Sequence, residues 1–344
     1  MHHSFERLLL LLFAGALLYA DPMPSLACAT CGCTLSADAA MGYSAAAGWR
    51  INLEDDYINQ DQLRGGTATA TPSQVVDAPS DPALRGGEIE KQTINRYLTL
   101  GISYTPNPSW NLNLLVPYID RDHTTYGVQL APYSASESAP DQISGAHVSA
   151  LGDVRLIGSY QGLLPTHNLG LQFGVKLPTG QYGTRVDFSS GPNEGTPLDA
   201  SLQAGTGSTD LIFGAYYYQA VSQNFDAFIN GQFQAAVSQR QNEPGSGFRP
   251  GNSATMSLGV RYEATPRWVP QLQLNLYHKS PDQGALADTT DTAGTVLYLS
   301  PGLTVPAMKQ MHIYGFVQLP MYSRLDGYQV FPHWTASVGA SYAF

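Results

Sequence analysis

The feature that most constrains this chain is a repeated alternation of apolar and polar residues, which begins at Trp49 and continues to the C-terminus. In residues 169–177 (LGLQFGVKL), for example, every second residue is apolar, and glycine, glutamine or lysine lies between them. A period of two is typical of a β-strand with one apolar face. Twelve such segments, each about ten residues long, predict an all-β fold.

The connections between these segments alternate in length without a break. Five are short, at 105–109, 163–168, 220–224, 264–267 and 306–310. Six are long, at 61–88, 124–150, 178–205, 236–252, 279–293 and 320–333. Transmembrane barrels of bacterial outer membranes have this alternation, because their periplasmic turns are short and their extracellular loops are long. The same arrangement predicts that both ends of the barrel chain are periplasmic.

The pattern therefore predicts a transmembrane, antiparallel, up-and-down β-barrel of about twelve strands over residues 49–344. A closed barrel satisfies its backbone hydrogen bonds without an open edge, so its apolar faces can point into lipid. Aromatic residues near the ends of these faces, such as Trp49 and Trp334, are typical of interfacial girdles. The alternative is a secreted β-sandwich with the apolar faces inside.

Asp55 is a charged residue in the apolar phase of the first segment. A charge on the lipid face is costly near the membrane centre, so either Asp55 lies at the outer rim or a bulge shifts the phase there.

The N-terminus has the parts of a secretory signal peptide. Arg7 precedes an apolar run over residues 8–20, and Ser25 and Ala27 are small residues at a cleavage site before Cys28. We therefore expect residues 1–27 to be removed on export. Residues 28–48 form a short segment before the first strand, which is expected either to plug the lumen or to remain a periplasmic tail.

The same segment contains all three cysteines of the chain, Cys28, Cys31 and Cys33. Three thiolates this close in sequence could hold a soft ion such as copper(I). A four-ligand zinc site lacks a nearby fourth donor, and Gly32 interrupts the haem-attachment pattern. A disulfide with one leftover thiol, or lipidation of Cys28, are the other interpretations.

Charge and residue pattern exclude two classes of function. The net charge is −10 and no basic run is present, which argues against binding to nucleic acid. His123, His147, His278 and His333 fall in or beside the predicted long loops and are far apart in sequence, so they form no recognisable catalytic set. We expect no enzymatic activity.

Residues in the phase opposite to the apolar faces are predicted to line the lumen, and they include charges of both signs. Asp153, Arg155, Lys176, Asp210 and Arg261 are candidates for a polar constriction that selects solutes by charge and size, or for ion pairs that brace the barrel. Hairpin geometry predicts that Asp153, Lys176 and Asp210 lie together at the extracellular mouth, with Arg155 one pleat below.

Three stretches carry a resemblance to a known family: LGDVRLIGSYQGL at 151–163, LGLQFGVKLPTG at 169–180 and AGTGSTDLIFGAYYY at 204–218. In this order and spacing they resemble the family of outer-membrane β-barrels named for meta-pathway phenol degradation, which is found in Gram-negative bacteria. The resemblance implies a transport role in the outer membrane, and the family's name suggests hydrophobic or aromatic compounds as solutes.

The sequence thus predicts an outer-membrane channel for a small solute, and the resemblance suggests a hydrophobic or aromatic one. Twelve strands enclose less space than the 16–18 of general porins, which favours a selective or plugged channel. The expected partners are outer-membrane lipid, lipopolysaccharide and, through the C-terminal Phe344, the outer-membrane assembly machinery. The alternative function is a copper-handling or electron-transfer accessory protein that uses the cysteine segment and is anchored by the barrel.

Overall fold

The computed structural model describes residues 47–76, 89–126, 143–182, 186–239, 247–265, 267–284 and 287–344. The predicted signal peptide and nearly all of the cysteine segment lie outside these residues. No helix in the described ranges is both long enough and apolar enough to cross a membrane.

The described residues form strands joined by turns, with one short α-helix and one turn of 3₁₀-helix. The strands are β1 Gly48–Gly66, β2 Ala68–Thr69, β3 Ile89–Asn107, β4 Trp110–Tyr126, β5 Ile143–Leu151, β6 Arg155–Tyr160, β7 Leu169–Lys176, β8 Ser208–Ala220, β9 Phe225–Gln239, β10 Ser253–Tyr262, β11 Val269–Lys279, β12 Gly294–Met308 and β13 Met311–Ala343. The α-helix, α1, is Pro72–Val76, and the 3₁₀-helix is Ala200–Leu202.

The strands close into a barrel. Neighbours pair antiparallel in sequence order, and β13 pairs with β1. Two strands lie outside this ring: β2 pairs with one end of β1, and β5 pairs with the half of β4 that β6 does not reach. β5 and β6 are therefore two halves of one crossing of the wall. We call the end with the long connections the loop end, and the end with the short connections and both barrel termini the turn end.

β13 is a hairpin that crosses the wall twice. Nine antiparallel pairings lead from β1 to β12, so these two strands run in opposite directions. A strand antiparallel to both must reverse: residues 311–325 pair with β12 and residues 325–343 with β1. Gly327 lies at the reversal with φ of 58°, a conformation that glycine adopts readily. The chain thus crosses the wall twelve times among the described residues, as predicted.

The predicted long loop at 320–333 is wrong. Strand pairing continues to Leu325 and resumes at Tyr328, so the connection is a tight turn. The sequence suggested a loop because the apolar alternation stops before residue 320. The strands, however, continue beyond the apolar belt, where their outward residues no longer need to be apolar.

The apolar faces point outward. In β7, Phe173 is 57% exposed, whereas Lys176 on the opposite face is 3% exposed. Large exposed apolar side chains recur in the same phase around the barrel, among them Ile51, Leu53, Leu100, Leu112, Leu156, Phe213, Leu258, Leu274, Val305, Val317 and Val338. A continuous apolar belt of this kind is unsuited to water and fits contact with lipid. The sandwich alternative, with apolar faces inside, is wrong.

Asp55 lies at the rim of this belt. The β1–β3 and β1–β13 registers run without a bulge through Asp55, so its side chain remains in the outward phase. Tyr57, the next outward residue, contacts the ring of Trp334 with a centroid distance of 5.8 Å. The carboxylate therefore borders an aromatic girdle, where a charge on the lipid face costs little.

Inward aromatic residues lie against glycines on neighbouring strands. A Cβ atom on the glycine would come within 2.0–2.4 Å of the ring in the pairs Gly170–Tyr216, Gly259–Phe228, Gly302–Phe316 and Gly339–Tyr314. Because these glycines have no side chain, each ring can lie against the inner surface of the barrel wall at the position of the glycine. This arrangement accounts for glycine in the inward phase of several strands.

Candidate functional site

The described residues of the long connection between β7 and β8, 177–182 and 186–207, fold into the barrel. We call residues 177–207 the lumen loop. Its described apolar side chains form one buried cluster with inward-facing residues of β1, β3, β4 and β5. The loop contributes Val186, Phe188, Leu198, Leu202 and Ala204, and the wall contributes Ile58, Tyr97, Ile119, Ala146 and Val148. Apolar and aromatic side chains therefore fill part of the lumen at the loop end.

A buried polar cluster holds the two ends of the lumen loop together. We call Asp153, Lys176, Thr206, Ser208 and Asp210 the clamp. Lys176 Nζ lies 2.8 Å from Asp153 Oδ2 and 3.3 Å from Asp210 Oδ2. It also donates to the hydroxyl of Thr206 and, at 3.1 Å, to the carbonyl of Ser208. The predicted meeting of Asp153, Lys176 and Asp210 is thus present at the loop end.

Asp153 connects the clamp to the backbone of the loop. Its Oδ1 accepts a 3.0 Å hydrogen bond from the backbone N–H of Gly180, and its Oδ2 accepts a 2.9 Å bond from that of Thr206. One carboxylate therefore binds the first and the last turn of the lumen loop. Charge-assisted bonds of this kind are among the stronger hydrogen bonds in proteins.

Glycines allow the two ends of the loop to touch. A Cβ atom on Gly180 would lie 2.7 Å from the Cα of Gly205 and 2.8 Å from the carbonyl carbon of Gly152. These contacts are backbone to backbone, so no flexible side chain can move away. The three stretches that resemble the family each contribute one of these glycines, and all three meet at the clamp.

Arg121 is a site residue that the sequence reasoning missed. It lies in β4, is buried, and donates to the carbonyl of Leu202 in the lumen loop. It also donates to Asn95 Oδ1, at 2.5 Å, and to the hydroxyl of Tyr97, at 2.9 Å. The signal was available, because Arg121 continues the inward phase of Ile119.

The remaining predicted lumen charges are not part of the clamp. Arg155 pairs directly with Lys176 in the β6–β7 register, so it lies level with Lys176 and not one pleat below. The prediction failed because residues 152–154 leave the strand and bring Asp153 to this level. Arg261 lies at the turn end, where its Nη2 is 2.9 Å from Glu263 Oε1 and where it lines a cavity of about 400 Å³. Whether these residues select solutes stays a prediction.

The barrel wall beside the clamp is completed by the lumen loop. β7 ends at Lys176 and β8 begins at Ser208, so β5 has no strand partner on the side away from β4 in the described part of the chain. Instead, Gly145 donates a 3.0 Å bond to the carbonyl of Ser190 and accepts a 2.8 Å bond from the N–H of Ser189. A loop thus covers the free edge of β5.

Asp199 precedes the 3₁₀-helix of the lumen loop. Burial raises the pKa of its carboxyl from 3.8 to about 6, and the negative charges of Asp288 and Asp282 add to this increase. A hydrogen bond from the Ser201 N–H to Asp199 Oδ1, 3.1 Å long, lowers the pKa and partly opposes it. The loop is therefore electrostatically coupled to the connection between β11 and β12.

The four histidines that the sequence placed in or beside loops all lie in strands: His123 in β4, His147 in β5, His278 in β11 and His333 in β13. His123, in β4, is buried in the lumen, where its Nδ1 is 2.8 Å from the hydroxyl of Thr93 and its ring contacts Phe188. His147, in β5, lies on the outer wall, with Nδ1 2.8 Å from Asp122 Oδ1. The placement of His147 and His333 inside loops was wrong, because β5 and β13 extend beyond the apolar belt. Cys28, Cys31 and Cys33 lie outside the described residues, so the copper hypothesis stays a prediction.

Comparison with known proteins identifies the fold. No family model and no curated protein sequence match the chain. Among solved structures, an outer membrane channel from Pseudomonas putida F1 matches with a TM-score of 0.59 and 13% identity, over 87% of this chain and 96% of that chain. The β domain of the Bordetella autotransporter BrkA matches with a TM-score of 0.47 and 13% identity, over 87% and 100%. The toluene transporter TbuX of Ralstonia pickettii matches with a TM-score of 0.44 and 11% identity, over 94% and 96%.

Proposed function

We propose that this chain is an outer-membrane channel for a small hydrophobic or aromatic solute, and that the lumen loop controls passage. The observation that carries the proposal is the apolar cluster inside the barrel. A water-filled pore for polar solutes has a polar inner face. Here the inner wall at the loop end, and the loop that fills it, present residues such as Tyr97, Ile119 and Phe188 to the lumen.

The fold supports an outer-membrane location, because it is shared with the channel from Pseudomonas putida F1. In the proposed orientation the loop end is extracellular, and the turn end, with both barrel termini, is periplasmic. The apolar belt contacts membrane lipid, and the polar outer wall beyond it, around His147, faces lipopolysaccharide. Phe344 is the proposed recognition element for the assembly machinery.

Membership of the meta-pathway phenol degradation family is part of the same proposal. Its support is that the three resembling stretches converge on one structural element, the clamp and the glycines packed around it. The resembling residues therefore have one structural role in common, which is to hold the lumen loop inside the barrel.

Solute uptake by proteoliposomes tests the function directly. The purified mature chain is reconstituted, and entry of a labelled neutral aromatic compound is compared with entry of a sugar of similar size. We expect faster uptake of the aromatic compound than in protein-free liposomes and little uptake of the sugar. Equal uptake of both, or no uptake by a folded barrel, would contradict the proposal.

A reversible crosslink tests the role of the lumen loop. The Ser190 hydroxyl lies 3.1 Å from the position of a Cβ atom on Gly145, so cysteines at these two positions are close enough to form a disulfide. In a background in which Cys28, Cys31 and Cys33 are serine, we expect the oxidised Gly145→Cys, Ser190→Cys variant to lose uptake and to regain it on reduction. Each single variant serves as the control. Equal uptake by the oxidised and the reduced double variant would mean that the lumen loop does not control passage of the solute.

A further inference from the structure

Basic side chains from three strands line the cavity at the turn end of the barrel. Arg50 of β1, Arg261 of β10 and His312 of β13 all border its volume of about 400 Å³. Among the described residues one acid, Glu263, borders it too. With the histidine neutral, the lining has two positive charges and one negative charge. The cavity is therefore electropositive.

The three basic groups are close enough to act on one another. The positive charges of Arg50 and Arg261 both reach the ring of His312. Arg261 is stabilised by Glu263 and by Asp226, its register partner in β9. The Glu263 side chain is 37% exposed, so water screens its charge, and Asp226 is not among the residues that line the cavity. An anion in the cavity would relieve the repulsion among the basic groups.

One hydrogen-bond donor of Arg261 has no partner among the described residues. The guanidinium places its Nη2 2.9 Å from Glu263 Oε1, whereas its Nε is buried and makes no hydrogen bond. A buried N–H group without an acceptor is costly, so native proteins rarely leave one unsatisfied. Guanidinium groups bind carboxylates through parallel N–H donors. A carboxylate is therefore a ligand group that would satisfy Arg261.

The same cavity has an apolar side. Val269 of β11 and Pro306 of β12 line it beside the basic groups, and these two strands are neighbours in the barrel. Pockets for small molecules have volumes of roughly 300–1,000 Å³ and combine apolar walls with a few polar groups. The cavity therefore suits a small molecule that has an apolar body and one anionic group.

We propose that the turn-end cavity binds a small aromatic carboxylate. Arg50 and Arg261 bind the carboxylate group, and Val269 and Pro306 pack against the ring. This inference rests on the proposed function in one respect, which is that the solute reaches the cavity through the lumen. In the proposed orientation, the cavity is the last site that an incoming solute meets before the periplasm.

Equilibrium dialysis of labelled benzoate against the folded mature chain in detergent tests the site, with protein-free micelles as the blank. We expect saturable binding of benzoate and at least about tenfold weaker binding of benzamide, which has a similar shape without the charge. Acetate, which lacks the ring, should compete poorly. Arg261→Gln and Arg50→Gln should each weaken benzoate binding by about tenfold or more. Lys309→Gln removes a positive charge at the same end but outside the cavity, and should leave binding unchanged.

Heat-dependent gel mobility shows whether each variant is a folded barrel, and the comparison of benzoate with benzamide needs only the wild-type chain. No binding of benzoate, equal binding of benzamide, or unchanged binding in the folded arginine variants would each overturn the proposal. Uptake of the neutral aromatic compound by proteoliposomes is measured in parallel. Uptake without benzoate binding would overturn the site and leave the proposed function intact. Selective benzoate binding without uptake would support the site and contradict the proposed function.

Discussion

Lys176 is 3% exposed and its ammonium group lies between the carboxylates of Asp153 and Asp210. Burial of a single charge is costly, but here the charge is shared by two carboxylates and several hydrogen bonds. The same residue is the last of β7 and directly precedes the lumen loop, so its charge, its burial and its position in the chain all serve to fix that loop.

We expect Lys176→Met to lower the free energy of unfolding by about 3–5 kcal/mol, because two buried carboxylates would then face each other without a cation. Urea unfolding of the barrel in detergent measures this change, and limited proteolysis should detect release of the lumen loop. Lys309→Met, at the exposed turn between β12 and β13, is the matched control and should change little. Similar losses for both variants would argue against a clamp.

Asp199 makes the loop sensitive to pH. Its pKa is higher in the folded protein, about 6, than its ordinary value of 3.8, so the folded state binds the proton more tightly. Stability should therefore rise as the pH falls through this interval. At about pH 7.5 we expect Asp199→Asn, which keeps the acceptor for the Ser201 N–H, to melt about 2–4 °C higher than the wild type.

The control for the Asp199→Asn prediction is the same comparison of melting temperatures at a lower pH. At about pH 4 the wild-type carboxyl is protonated, and the difference between the two proteins should disappear. Thermal unfolding in detergent followed by circular dichroism at both pH values measures it. A difference that is the same at both values would exclude ionisation of Asp199 as the cause.

At the scale of the structural elements, the close backbone contacts beside the clamp predict that the glycines of the three stretches tolerate substitution poorly. We expect Gly205→Ala to displace the lumen loop, because a Cβ atom there would lie 2.6 Å from the carbonyl carbon of Gly180. Gly231→Ala, in β9, is the control, since its Cβ atom would meet nothing closer than 3.9 Å. Protease sensitivity of the loop should rise for Gly205→Ala only.

The elements also show where sequence reasoning works and where it fails. The outward phase of β7, with Phe173 outside and Lys176 inside, follows from alternation alone. The turn at Gly327 and the length of β4 cannot be predicted from alternation, because the apolar pattern ends with the membrane belt while backbone pairing continues. Loop lengths read from hydrophobicity are therefore upper limits.

At the scale of the whole molecule, the two ends of the barrel chain close the ring. Trp49 N–H donates a 2.9 Å bond to the carbonyl of Phe344, and Phe344 N–H donates a 2.9 Å bond to that of Trp49. Phe344→Ala keeps both bonds and removes only the ring. If the ring is the signal for assembly, the variant should reach the outer membrane in several-fold lower amounts.

The readout for Phe344→Ala is the amount of barrel in outer-membrane fractions that is folded, as judged by its heat-dependent gel mobility. Refolding of the purified variant in detergent is the control, and it should proceed as in the wild type. A variant that fails in both settings would point to a role in barrel stability and not in recognition by the assembly machinery.

The sequence by itself determined which face of each strand meets lipid, how many times the chain crosses the wall, and that Asp153, Lys176 and Asp210 share one end of the lumen. These features follow from a local rule, because alternate residues of a strand point to opposite sides and neighbouring strands are joined by turns. Only the tertiary structure decided that the described residues of the lumen loop fold inward, that Arg121 binds that loop, and that Glu54 and Asp56 meet the two arms of β13. Those contacts join residues far apart in sequence, so they depend on how the closed barrel is shaped and filled.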